Sequence, residues 1–224
     1  GVSMPYRMRV KEGGSLGDIY GNDFARDENG KIIVTDTGAP KIETGNNTLI
    51  GNANPDCMLS WGNTFTYKGF NLYFLFDAAI GGDVISLTQS ALDMRGVSKN
   101  SGEARDRGYV EVEGQRFEGE KIESFYTAVG NRGDGCTSYY RYDRTNIRLR
   151  ELSLGYSFPQ RLLEKTGIFK GIDLSLVARN LFFLYKDAPF DPDAILSVGN
   201  ANQGVDIFGM PTTRNIGFNL KFTF

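Results

Sequence analysis

The chain has 224 residues, a formal net charge of -2, 40% hydrophobic and 23% charged residues, which excludes a disordered chain and offers no basic surface for nucleic acid. It contains no histidine and no Walker A, G-x-S-x-G or G-x-G-x-x-G stretch, so Ser-His-Asp chemistry and the usual catalytic zinc sites are ruled out, and neither an enzymatic activity nor a cofactor or metal is expected. No apolar run approaches the ~20 residues of a spanning helix, a test to which the alternating strands of a membrane barrel are blind.

A short apolar–polar run at Tyr6–Lys11 reads as a strand. A long connection over residues 12–57 follows. It holds Asp36-Thr37-Gly38, the aspartic-protease triplet, inside Ile32–Pro40. Such enzymes need two carboxylates sharing a proton, so a dimer would be required; the flanking Asp27-Glu28-Asn29-Gly30 favours a simple loop hairpin. In residues 58–67, Trp61, Phe65 and Tyr67 oppose Ser60, Gly62, Thr64 and Thr66. Lys68-Gly69 then makes a tight turn. In residues 70–80, Phe70, Leu72, Phe74, Phe76, Ala78 and Ile80 oppose Asn71, Tyr73 and Asp77. Both segments are period-2 strands.

The next long connection covers residues 81–145. Val84, Leu87, Ala91 and Leu92 predict a helix over Val84–Met94. Tyr139, Tyr140 and Tyr142 cluster before the following strand and are candidates for stacking on a sugar or lining a loop. In residues 146–158 the apolar phase changes once, from Ile147 and Leu149 to Leu152, Leu154, Tyr156 and Phe158, which places a β-bulge at Arg150-Glu151. Pro159 and one helical turn around Leu162–Lys165 lead to a strand over 171–183, where Ile172, Leu174, Leu176, Ala178 and Phe182 oppose Asp173, Ser175 and Arg179. A third long connection, 184–211, carries Asp191 and Asp193, candidates for ligand contact, with Asp187 nearby; their spacing lacks a calcium-loop pattern. The last strand, 212–224, sets Ile216, Phe218, Leu220, Phe222 and Phe224 against Asn215, Gly217, Asn219, Lys221 and Thr223.

Short and long connections alternate strictly. Outer-membrane barrels pair short periplasmic turns with long extracellular loops, whereas long loops are uncommon in compact soluble domains. The fold class is therefore all-β: the C-terminal strands of a large antiparallel transmembrane β-barrel with long extracellular loops, the whole of 1–224 belonging to the barrel domain. The rule directs 58–67, 146–158 and 212–224 towards the periplasm and leaves the C-terminus periplasmic. Five or six strands cannot close, since the smallest bacterial barrels need about eight and open edges are forbidden in hydrocarbon. The chain is expected to be part of a larger barrel, beginning in mid-protein or lacking a removed leader. Asn71, Asp77, Asp173, Arg179, Asn215, Asn219 and Lys221 are lumen-facing candidates. Trp61, Tyr67, Tyr156, Phe158 and Phe224 would form an interfacial aromatic belt. Cys57 and Cys136 both fall in long connections, where a disulfide between them stays open. The alternative class is a secreted β-rich adhesin or interaction domain.

Several pieces resemble one family in the same order: "SLGDIYG" (15–21), "LIGNANPD" (49–56) leading into "WGNTFTYKGFNLYFLFDAAIGGDV" (61–84), "NIRLRELSLGYSFP" (146–159), "ARNLFFLYKDAPFDPD" (178–193) and "MPTTRNIGFNLKFTF" (210–224). Together they resemble the C-terminal part of SusC/RagA-like TonB-linked outer-membrane transporters. The resemblance implies a bacterial outer-membrane location, import of glycans or peptides, a SusD-like surface lipoprotein, and TonB acting through a plug region that nothing here matches. It also makes Phe224 similar to the terminal aromatic signal read by barrel-assembly machinery.

Overall fold

The computed structural model describes residues 4–195, 199 and 202–224. In chain order it contains β1 (Tyr6–Met8), β2 (Asp18–Phe24), β3 (Ile42–Asn52), β4 (Cys57–Tyr67) and β5 (Phe70–Ile80). Then come β6 (Asp83–Ser86), α1 (Leu87–Met94), α2 (Lys99–Arg107), β7 (Tyr109–Val112), β8 (Gln115–Glu118), α3 (Lys121–Val129) and β9 (Arg141–Asp143). The remainder is β10 (Asn146–Ser157), α4 (Gln160–Leu163), β11 (Gly171–Lys186), β12 (Val205–Asp206) and β13 (Asn215–Thr223). These elements divide between two compact units.

The wall unit comprises residues 55–81, 144–193 and 211–224. It is one antiparallel sheet in the order β13-β11-β10-β5-β4. The sheet is open, and its outer strands β4 and β13 are exposed along their whole length. All five long strands expected from the alternation are present, β11 running three residues further than its pattern suggested. Strands β4, β5 and β10, at 11, 11 and 12 residues, match the ~9–11 that cross a bilayer at a tilt. The β4–β5 hairpin closes at Lys68 (φ 46°) and Gly69 (φ 89°). Two consecutive positive φ values fit a type I′ turn, whose twist matches the flanking strands. A Cβ on Gly69 would also lie 2.8 Å from the Ser157 carbonyl oxygen, so the position requires glycine.

The loop unit comprises residues 1–54, 82–143 and 194–210 within its described range, so all three long connections fold together. Strands β1, β2 and β3 form one sheet, β12, β6 and β9 a second, and β7 and β8 a hairpin. One core collects Phe24, Val110, Phe117, Ile122, Phe125, Val129 and Tyr140; another collects Tyr6, Ile19, Ile50, Ile85 and Val205. The second draws on all three connections.

Two expectations change here. The run at Tyr6–Lys11 is only the three-residue β1, paired with β2 in the loop unit, and is not a wall strand. Its Tyr6 ring is 4% exposed in the second core, which accounts for the apolar start of the run. The helix expected from Val84 begins instead at Leu87. Val84 and Ile85 are β-branched and pair with Tyr142 and Arg141 of β9, and the Ser86 side chain accepts from Gln89 N, capping α1. The protease-like triplet lies at an exposed turn in which Thr35 N donates to the Ala39 carbonyl and Gly38 N to that of Thr35.

Candidate functional site: the polar sheet face and its arginine cluster

Strand register sorts the wall into two chemically distinct faces. Pairing aligns Leu72 with Phe65 and Leu154, Leu154 with Leu176, and Leu176 with Phe218. Four rings, Trp61, Phe65, Phe74 and Phe76, share that apolar face with centroid separations of 5.1–6.1 Å. The opposite face aligns Thr66 with Asn71, Asn71 with Gly155, Gly155 with Ser175, and Ser175 with Asn219. All seven residues proposed to line a lumen lie on this polar face. Asp173 pairs with Lys221, and Arg179 with both Glu151 and Asn215.

These polar side chains bond one another across strands. Ser60 donates to Asp77 at 2.7 Å, Ser157 to Asp173 at 2.5 Å and Thr66 to Asn71 at 2.8 Å. Arg179 pairs with Glu151 at 3.1 Å. Asn215 uses its amide on Thr213 at 3.4 Å.

The bulge expected at Arg150-Glu151 is present. Leu149 pairs with Phe76 but Glu151 with Leu75, leaving Arg150 as the extra residue on β10. A bulge re-aims side chains. Here Arg148 and Arg150 both address the polar face: Arg148 is in register with Asp77, and Arg150 pairs with it at 2.6 Å. Asn180, opposite the bulge on β11, takes φ 50°, a left-handed conformation that asparagine tolerates.

Arg148 is 1% exposed. It pairs with Asp193, donates to Thr212 Oγ1 at 3.1 Å and lies over the Phe183 ring at 4.7 Å. Arg144 and Arg150 each approach Asp193 at 3.6 Å. Asp191 accepts from the Thr212 N–H at 2.9 Å, the Thr212 hydroxyl at 2.5 Å and the Asp193 N–H at 3.1 Å. Burial pushes the Asp191 carboxyl up, but the Thr212 and Asp193 hydrogen bonds and the Arg148 charge outweigh it and hold it below the ordinary carboxylate range. Asp191 and Asp193 thus close a polar network within the wall unit rather than reaching out as free ligand carboxylates. No group of three or more metal-binding side chains occurs among the described residues.

The tyrosine candidates are also relocated. Tyr140 is 1% exposed in the first loop core, and Tyr139 packs against the same core with its ring 5.4 Å from Phe125. Burial pushes both phenols well above their ordinary range and Tyr142 up to about 12. The ring of Tyr140 is a packing element of this core, and that of Tyr139 is partly buried against it. Cys57, in the wall unit, and Cys136, in the loop unit, are both free thiols here. Cys57 is exposed at the start of an edge strand, whereas Cys136 is buried in the loop core beside Ser138, 3.2 Å away. The sequence reading missed Arg144, Arg148 and Arg150, although three arginines at even positions within seven residues were visible at the start of a strand.

No family model matches the chain. Among curated proteins, TonB-dependent receptor P3 of Formosa agariphila is 26% identical over 95% of this chain and 23% of the receptor. Receptor P39 of the same organism is 29% identical over 92% and 20%. TonB-dependent receptor SusC of Bacteroides thetaiotaomicron is 23% identical over 95% and 20%. Among solved structures, the RagAB peptide importer in its open-open state matches with TM-score 0.62 at 16% identity, over 93% of this chain and 23% of that one. Its closed-closed state matches with TM-score 0.55 at 14% identity, over 97% and 25%. The chain therefore spans no more than a quarter of the length of these relatives. With the open antiparallel sheet, these similarities relate the chain to the SusC and RagAB type of TonB-dependent receptor over a segment whose fold is that of their β-barrel strands.

Proposed function

We propose that the chain forms part of the wall and the extracellular loops of an importer that carries glycans or peptides across the bacterial outer membrane. The observation that carries this reading is the register of the five-stranded sheet, which places one apolar and one polar face across every strand pair. An apolar face of that breadth needs lipid, and both exposed edges need further strands. A secreted adhesin would leave that face in water. The polar face then lines the lumen, with Asn71, Asp77, Asp173, Arg179, Asn215, Asn219 and Lys221 hydrating the path or bonding a plug. The C-terminus is periplasmic, and Phe224 serves the assembly machinery. A SusD-like lipoprotein covers the outer opening, and TonB supplies energy through a plug region of the full-length receptor.

Cells lacking the full-length receptor, complemented with it, test this directly. Uptake of labelled oligosaccharides or peptides should return, and should vanish when TonB is deleted. Recovery of the receptor in the detergent-free soluble fraction, or uptake that ignores TonB, would overturn the reading.

A further inference from the structure

The loop unit contains a concave cavity of about 600 Å³, bounded by the ends of α1 and α2 and the start of α3. That size suits a small ligand. Arg95 and Arg105, from the end of α1 and from α2, and Glu120 and Glu123, from the start of α3, all contribute to its lining, as does Asp93, which is buried and accepts from Gln89. The four arginine and glutamate side chains belong to exposed residues. Ion pairs elsewhere in the loop unit are made readily, such as Lys99 with Glu103 and Arg116 with Glu111. Yet among the described residues none of these four has an ion pair or a side-chain hydrogen bond. Two cations and two anions therefore share one concavity without neutralising each other.

The lining between them is apolar. Ile122 is 7% exposed and Tyr126 is 5% exposed, its hydroxyl turned to the Asn100 carbonyl at 3.4 Å; Met94 is 40% exposed beside them. Tyr126 is too buried to present the open ring on which a sugar stacks. Charges of both signs on an apolar floor instead complement a ligand with separate anionic and cationic ends and an apolar middle. We infer that this cavity is a binding site for a small zwitterion such as a short peptide with free termini. Arg95 and Arg105 take its carboxylate, Glu120 and Glu123 take its ammonium, and a side chain rests against Ile122 and Met94. Guanidinium pairs suit a carboxylate because they can present parallel N–H donors. The site belongs to the loops and is distinct from the polar sheet face.

The test uses the full-length receptor in detergent micelles and the tripeptide Leu-Gly-Gly, with hydrogen–deuterium exchange as a local readout. The peptide should slow exchange at least twofold in residues 94–108 and 119–126. N-acetylation with C-amidation should abolish that protection, as should the double variant R105Q/E123Q, whose exposed substitutions leave the fold intact. Maltotriose should have no effect there. Absence of protection in these segments would overturn the site, as would protection that survives either the blocked peptide or the double variant. Protection confined to the wall strands would also overturn it, while leaving the import reading standing.

Discussion

At the residue scale, Arg148 concentrates the most electrostatic consequence in the least solvent. Its side chain is 1% exposed and answers to Asp193, while Arg144 and Arg150 lean on the same carboxylate. Removing one partner of a buried pair leaves an uncompensated charge, which typically costs about 3–5 kcal/mol. Asp193→Ala should therefore lower the temperature at which the receptor loses its compact form on semi-native gels, and should do so more than Asp187→Ala, a residue just beyond the wall strand. Asp191 adds a pH dependence. Its folded-state acidity is strengthened, so its contribution is present above the unfolded value of about 4 and fades as pH falls through the lower folded value. Thr212→Val removes its hydroxyl donor and should shrink that acid-side loss of stability. The cysteines give a simpler check. Burial raises the Cys136 thiol to about 11, so at pH 8 it should resist iodoacetamide until the protein is unfolded. Mass spectrometry of unreduced, denatured receptor should find Cys57 and Cys136 unlinked.

At the element scale, β13 shows how parity becomes chemistry. Phe218 pairs with Leu176 on the apolar face, while the adjacent Asn219 pairs with Ser175 on the polar face. Arginine on the lipid side of a barrel costs about 2–4 kcal/mol near the midplane, and much less on the lumen side. Phe218→Arg should sharply reduce assembled receptor in outer-membrane fractions, and Asn219→Arg should leave the amount near wild type. Equal yields would contradict the assignment of faces. The bulge in β10 offers a second parity test. Deleting Arg150 would make Leu149 and Glu151 direct neighbours on opposite faces, so the alternation and the register with β5 would survive without the bulge. The deletion should therefore still assemble in outer-membrane fractions, as should Arg150→Ala. The wall strands and this bulge were legible because alternation survives in a single strand without its neighbours. Helices α2 and α3 were not identified from sequence, although signals existed. Ser98 caps α2 at Ser101 N, and Ile122, Phe125, Tyr126 and Val129 form one buried stripe on α3. Nine-residue helices carry little more than two turns of period, and short patterns inside a polar loop do not stand out.

At the scale of the whole chain, the sequence by itself determined which residues share the apolar and which the polar face of the sheet, where the wall strands turn, and that they cannot close alone. These follow from local periodicity and from the rule that no backbone edge goes unpaired in hydrocarbon. Tertiary structure decided the rest. Three connections that read as separate loops fold into one unit, because Ile19, Ile85 and Val205 complete a core that none of them holds alone. Tyr139 and Tyr140, open on sequence grounds to sugar stacking or to loop packing, pack at the loop core, and Asp193, a candidate for ligand contact, is the counter-ion of buried Arg148. An aromatic or a carboxylate has the same identity in a loop whether it meets solvent or protein. Only the position of distant partners assigns it, and that position is set by contacts across more than forty residues of chain.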